Sequence, residues 1–497
     1  MISAYDRLVA FARELQLVSD SASLLGWDQE VLLPRQGVAY RAEQMSWFSG
    51  YLHERFTAGE VGEWISEAEA AGEGEGALDP VVAANLREWR HDYDHATCLP
   101  TKLVQDFAEA RVHAQSAWAG ARKDSNFALF APHLEKLVDL SREHAERWGY
   151  EESLYDALID RFERGATTRG LSGTLGTLRE ALLPVVEAAT SRRSFDRGRL
   201  AGHYPVSKQE AFNREVAEAI GFDFEAGRID TAVHPFCSGI APYDTRLTTR
   251  YDEGDFLSSL FGVLHEAGHG LYEQGLRKDW RGQPVGNAVS LGVHESQSRL
   301  WENHVGRSRP FWEKWLPRAV HYFPHLSGLT PEDLYDAVNQ AELSHIRVEA
   351  DEVTYDLHVL LRFELEQAIF AGDLAIGDIP GEWNRRFESY FGLPVRNDAE
   401  GCLQDIHWSM GIFGYFPTYS LGNLNAAHLA AAAKRKDASI EEGFLRADYA
   451  PLLGWMRREI HEKGSLLLPG ELIELAAGSP ASPEALIAHL RERYLGE

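Results

Sequence analysis

Along most of the chain apolar residues recur at three- and four-residue spacing, the signature of amphipathic helices. Residues 4–25 predict a first helix ending at Gly26, then a turn with Trp27, Asp28, Gln29 and Glu30 and a loop with Pro34 and Gly37. Arg41, Gln44 and Trp47 fall on the next helix, and Trp27 reads as core packing. Residues 60–80, rich in Glu, Ala and Gly, predict a mobile acidic connection. From 81 to about 194 the helical period returns, with Trp89, Phe107, Trp118, Phe130, Leu137 and Trp148 as buried anchors, and a further helix is predicted over 207–220, closed by Gly221. The pattern changes at Thr231: TAVHPFCSGIAPYDTRLTTRYDEGD contains an alternating RLTTRY run, the one convincing strand or hairpin signal. Beyond it, 331–370 reads as one or two long helices, 381–390 as a shorter one and 392–419 as an aromatic, Gly-rich loop. An Ala-rich helix over 425–436 and a last helix over 483–494, started by Ser482 and Pro483, complete the series.

One predicted helix carries chemistry. In DFLSSLFGVLHEAGHGLYEQG, residues 255–275, Asp255 is placed to cap the N-terminus and Gly275 to follow the C-terminus. His265 and His269 stand one turn apart on one face, so both imidazoles can reach a single Zn²⁺ at about 2.0–2.1 Å. Glu266, between them, can reach a water in the open position and serve as general base. Gly268 and Gly270 permit close approach of another backbone or a substrate. An apolar helix has reason to bury two imidazoles and a carboxylate where a metal compensates them. A second helix is predicted over 290–306, and it carries Glu295 as the third ligand, returned by the connection 276–289 with Gly282, Pro284 and Gly286. Two His and one Glu with water in the fourth position is a catalytic zinc arrangement. The competing reading of Glu295 is a surface carboxylate paired with Arg299.

Composition narrows the class. The 497 residues carry 49 basic and 76 acidic side chains and a net charge of −27, which argues against a nucleic-acid backbone as partner. Cys98, Cys237 and Cys402 form neither a disulfide framework nor a CxxC site, and no run of 18 apolar residues or secretory leader occurs, so a reducing, cytoplasmic setting without membrane association is expected. We expect one catalytic unit over 1–497 with two lobes, 1–230 a mostly helical wall and 231–497 the metal-site lobe with the C-terminal helices. A small sheet beside the metal helix would offer an edge strand to an extended peptide, which points to peptides as substrate.

The motifs together resemble the carboxypeptidase Taq family of zinc metallocarboxypeptidases. They are His234-Pro235-Phe236, Asp244-x-Arg246-x-Thr248, HEAGH at 265–269, His294-Glu295-Ser296-Gln297, the IRVEAD stretch 346–351 and the GCLQDIHW stretch 401–408. The resemblance covers essentially the whole chain, and WDQE at 27–30 agrees with it. It implies a mainly α fold with a deep central cleft between two helical walls, like the neurolysin and angiotensin-converting-enzyme peptidases. It also implies removal of single C-terminal residues from peptides with broad preference, one zinc or sometimes cobalt or another divalent ion per chain, and a homodimer.

Within that reading, the oxyanion needs donors beyond the metal, and His234, Tyr415 and Tyr419 are the candidates. For His234 the competing role is capping the turn before Pro235, and for either Tyr a buried aromatic. An exopeptidase must also hold the free carboxylate, a task suited to a planar guanidinium. Arg347 is the first choice, with an ion pair to Asp351 as its competing role, and Arg246 the second, with a pair to Asp244. Asp405 and His407 are expected to order a closing loop or contact substrate. The alternatives are an oligoendopeptidase or dipeptidase on the same scaffold, without the carboxylate clamp, and a helical binding protein that retains a dead site.

Overall fold

A computed structural model describes residues 3–72, 78–192 and 195–497. Among the described residues the chain is mainly α-helical with one small three-stranded sheet beside the helix that carries HEAGH, as expected. It clusters into two compact units, each assembled from three stretches: 1–96, 195–338 and 425–480 in the first, 97–194, 339–424 and 481–497 in the second. The first unit thus draws on both sides of residue 230.

In the first unit the opening helix runs Ala4–Val31, past Gly26, because Trp27 is buried and its ring lies under the Arg246 guanidinium at 4.4 Å. A helix-interior glycine costs only about 1 kcal/mol, which such packing outweighs. Most of the acidic connection expected over 60–80 is instead the helix Gly59–Gly72, whose Val61, Ile65 and Ala68 join Leu8, Phe11, Leu86 and Trp89 in one core cluster. Residues 73–77, the middle of that expected connection, lie outside the described residues, as do 193–194 at the end of the predicted helical run.

The strands are β1 (Gly227–Thr231), β2 (Cys237–Ala241) and β3 (Asp244–Thr249), in the order β1-β3-β2. The turn-rich signal marked β2 and β3, which pair antiparallel with a bulge between Gly239 and Ala241. β1 was not anticipated; its pairing with β3 is parallel and its sequence, GRIDT, is half polar. β2 is an edge strand, and its Ile240 carbonyl already accepts from Arg281.

The HEAGH helix is Phe256–Gly275, opened by Asp255, whose carboxylate accepts from the backbone N–H of Leu257 at 3.0 Å. Gly275 is its last residue rather than the residue after it. A second helix, Leu291–Arg299, is capped by the Ser290 hydroxyl and continues as a π-helical segment, Leu300–Gly306. The two helices meet backbone to backbone at Gly268: a Cβ there would stand 2.5 Å from the Gln297 carbonyl oxygen and 2.6 Å from Ser298 Cα.

In the second unit the helical anchors divide. Phe130 and Leu137 are fully buried, whereas Phe107, Trp118 and Trp148 are half-buried. The helices expected over 331–370 are Pro331–Val338, which closes the middle stretch of the first unit, and Tyr355–Ala371 in the second, with irregular chain between them. Arg347 opens a single 3₁₀ turn, Arg347–Glu349. The Ala-rich helix begins at Pro417, eight residues before its predicted start, and takes Tyr419 out of the expected loop. Among the described residues no helix is long and apolar enough to cross a membrane.

Candidate active site

The spacing of the HEAGH helix and the close contact at Gly268 together bring three atoms that could hold a metal ion to one point. One atom each from His265, His269 and Glu295 lies within 4.8 Å of the others. Oε2 of Glu295 stands 3.4 Å from Nε2 of His269 and 3.8 Å from Nε2 of His265. The opposite ring nitrogens are taken up elsewhere: His265 Nδ1 by Glu302 Oε2 at 2.9 Å, His269 Nδ1 by Nδ1 of His294 at 2.6 Å. Both Nε2 atoms therefore face Glu295, and two imidazole nitrogens with one carboxylate oxygen are a donor set that could hold a divalent cation. The pair of Glu295 with Arg299 also exists, through Oε1 at 2.7 Å, but the carboxylate is buried rather than on the surface, and its Oε2 faces the two imidazoles.

The electrostatics follow from burial and crowding. Burial alone would push the His265 imidazole down, but Glu295 and Glu302 outweigh it and raise the group to about 9. His269, buried beside His294, is lowered to about 4. Burial also works against Glu295, yet Arg299 and the imidazoles hold its carboxyl well below the usual range. Glu266 is 6 % exposed and, chiefly through burial, raised to about 7.

Of the remaining site candidates in the first unit, His234 is exposed in the bend between β1 and β2. Arg246 forms the pair with Asp244, two parallel contacts of 2.8 and 3.0 Å, and stacks on Trp27.

In the second unit the IRVEAD and GCLQDIHW stretches form one cluster. Gln404 accepts from the Arg347 backbone N–H at 2.9 Å and donates to the His345 carbonyl at 3.0 Å. The Arg347 guanidinium donates to Asp405 Oδ1 through Nε at 3.0 Å and Nη2 at 2.9 Å, and to the Tyr355 hydroxyl through Nη1 at 2.7 Å. The predicted pair with Asp351 does not form: Asp351 accepts instead from the backbone N–H groups of Glu342, Val353 and Thr354. Asp405 also holds Arg362, whose Nε lies 2.6 Å from Oδ2. Burial would raise the Asp405 carboxyl, but the two guanidiniums outweigh it and hold it well below its ordinary value. His407 Nε2 lies 3.3 Å from the Tyr419 hydroxyl, and the Tyr419 and Tyr415 rings meet edge to face at 5.2 Å, both half-buried.

Sequence reading missed Glu302, Glu273 and Arg362. Glu302 was legible in principle, since it lies seven residues, two helical turns, beyond Glu295. Glu273 stands one turn beyond His269. Nothing in the pattern around Arg362 distinguishes it from any arginine on a buried helix.

The profile of the carboxypeptidase Taq (M32) metallopeptidase family matches residues 7–494. The chain is 42 % identical to thermostable carboxypeptidase 1 of Thermus thermophilus, over 99 % of this chain and 98 % of that one, and 34 % identical to carboxypeptidase 1 of Bacillus subtilis, over 96 % and 95 %. Its structure is similar to those of the M32 carboxypeptidase from Deinococcus radiodurans R1, with a TM-score of 0.95 at 38 % identity over 99 % of this chain and 98 % of that one, and of Trypanosoma cruzi metallocarboxypeptidase 1, with 0.95 at 35 % over 99 % and 100 %. With its motifs matched from end to end, the chain belongs to the carboxypeptidase Taq (M32) metallopeptidase family and is a metal-dependent carboxypeptidase.

Proposed function

We propose that His265, His269 and Glu295 hold one zinc ion per chain, a place cobalt or another divalent ion can take, and that Glu266 is the general base in the removal of single C-terminal residues from peptides of broad sequence. The observation that carries this is the convergence of the three ligand atoms with a buried carboxyl, raised to about 7, beside them. A divalent cation there supplies Lewis acidity to the scissile carbonyl and to the attacking water. Glu266 takes the proton from that water as its oxygen attacks and returns it to the departing amine nitrogen.

His234, Tyr415 and Tyr419 are assigned as donors to the developing oxyanion. Arg347 is assigned the substrate's free carboxylate. Three of its five N–H groups serve Asp405 and Tyr355, which orient the guanidinium. Arg246 is the second candidate, with two N–H groups already given to Asp244. Asp405 and His407 act by ordering these groups. The likeness to the family supports a homodimer. Three free cysteines and a net charge of −27 support a cytoplasmic setting with no nucleic-acid partner.

The test is mass spectrometry of short peptides incubated with the metal-loaded protein, beside their C-terminally amidated copies and a Glu266→Gln variant. Ladders that lose one C-terminal residue at a time, absent for amidated peptides and for the variant, are expected. Internal cuts indifferent to amidation would overturn the carboxylate clamp, and a fully active variant would overturn Glu266 as base.

A further inference from the structure

The two histidines of HEAGH are supported differently. His265 meets a carboxylate directly, through Glu302. His269 does not: its Nδ1 faces Nδ1 of His294 at 2.6 Å, and Nε2 of His294 stands 2.8 Å from Oε1 of Glu273, one turn beyond His269 on the same helix. The two rings lie side by side, centroids 4.6 Å apart and planes inclined by 27°, an arrangement that suits an in-plane N–H···N hydrogen bond. Two facing ring nitrogens share one proton, and the question is which ring supplies it.

The position of Glu295 answers it. For His269 to offer Nε2 to a cation beside Glu295, that nitrogen keeps its lone pair and the neutral ring carries its proton on Nδ1. His269 Nδ1–H then donates to His294 Nδ1. His294, accepting there, carries its own proton on Nε2 and donates it to Glu273. With Nε2 of His269 left to the cation, each donor and acceptor in the chain is matched in this sense.

We propose that His294 and Glu273 are positioning residues that fix the tautomer and ring orientation of His269, an imidazole standing where a carboxylate serves His265. This rests on the assignment of His265, His269 and Glu295 as the metal ligands. A second feature supports it independently. Gly239 on the edge strand β2 lies against Glu273, and a Cβ at 239 would stand 2.4 Å from the Glu273 carboxyl carbon. Glycine at 239 therefore leaves the space in which that carboxylate reaches His294. Metal-bound histidines backed by a carboxylate lose about 10–100-fold in metal affinity when the backing group is removed.

The experiment measures Co²⁺ affinity by chelator competition, and the visible spectrum of bound Co²⁺, in the full-length protein. The variants are His294→Ala, His294→Asn, Glu273→Gln and Gly239→Ala, with melting of each metal-free form as the folding control. His294→Ala is expected to bind Co²⁺ about 10–100-fold more weakly with a shifted spectrum. His294→Asn, whose Oδ1 can accept where Nδ1 did, should recover part of the loss. Glu273→Gln and Gly239→Ala should weaken binding while melting near the parent, and they decide the matter if His294→Ala fails to fold. Parent-like affinity and spectrum in folded Glu273→Gln and Gly239→Ala would overturn the relay. His269→Ala separates the two levels: if it binds Co²⁺ as tightly as the parent, the ligand assignment itself is wrong.

Discussion

His265 and Glu302 are joined by a 2.9 Å contact between Nδ1 and Oε2, at the start of the π-helical segment that follows the Glu295 helix. The contact leaves Nε2 of His265 facing Glu295. We predict that Glu302→Gln lowers metal affinity about 10–100-fold. The amide still fills the space but no longer offers an anionic acceptor. Chelator competition on the variant checks this, and an unchanged dissociation constant would remove Glu302 from the metal's support.

Asp405 stands between two buried guanidiniums, those of Arg347 and Arg362. Asp405→Asn leaves both without their anion, and breaking such a pair from one side costs on the order of 3–5 kcal/mol. Urea unfolding should show a loss of that size, and pairing the change with Arg362→Met should return part of it. A loss below about 1 kcal/mol, the range of exposed pairs, would contradict the cluster.

Glu366 gives a pH dependence of known sign. It is fully buried, which raises its carboxyl to about 7, although the Tyr155 hydroxyl at 2.6 Å, the Gly414 N–H at 2.8 Å and the Trp408 indole N–H at 2.8 Å all donate to it. The folded state therefore holds this proton more tightly than the unfolded state. Its contribution to stability is fully present below about 4.5 and is lost as pH rises to about 7, a change on the order of 3 kcal/mol. Glu366→Gln cannot titrate. Parent stability minus variant stability should fall across that window and stay level outside it; a difference that is level throughout would refute the shift.

Gly268→Ala should damage fold and site together. The added Cβ meets backbone atoms of Gln297 and Ser298, which cannot turn aside as a side chain can, so a cost of about 1–3 kcal/mol or more is expected. Because the displaced segment carries Glu295, metal affinity should fall as well. Gly262→Ala on the same helix, 3.2 Å from the Thr249 hydroxyl, is the control and should be far milder in melting temperature and affinity.

Features that depend on neighbours in the chain were readable without coordinates. The Asp255 and Ser290 caps, the one-turn spacing of His265 and His269, and the run of amphipathic helices are local and carry their own period. Where local rules failed, a distant contact had overridden them. Gly26 does not stop its helix because Trp27 packs under Arg246, some 220 residues away. The helical period across 339–354 is not realised as a helix because Arg347 is drawn to Asp405 and Gln404, while Asp351 turns back onto the backbone.

The sequence by itself picked out the candidate ligands: residue types at helical spacing on an apolar face decide which side chains could coordinate and which carboxylate lies between the histidines. The tertiary structure alone decided what stands behind each candidate: Glu302 behind His265, His294 with Glu273 behind His269, and Asp405 rather than Asp351 beside Arg347. The reason is physical. A helix fixes only directions around its own axis, whereas the partner of a buried nitrogen is set by which other element the packing brings within about 3 Å, and no period along one segment encodes that.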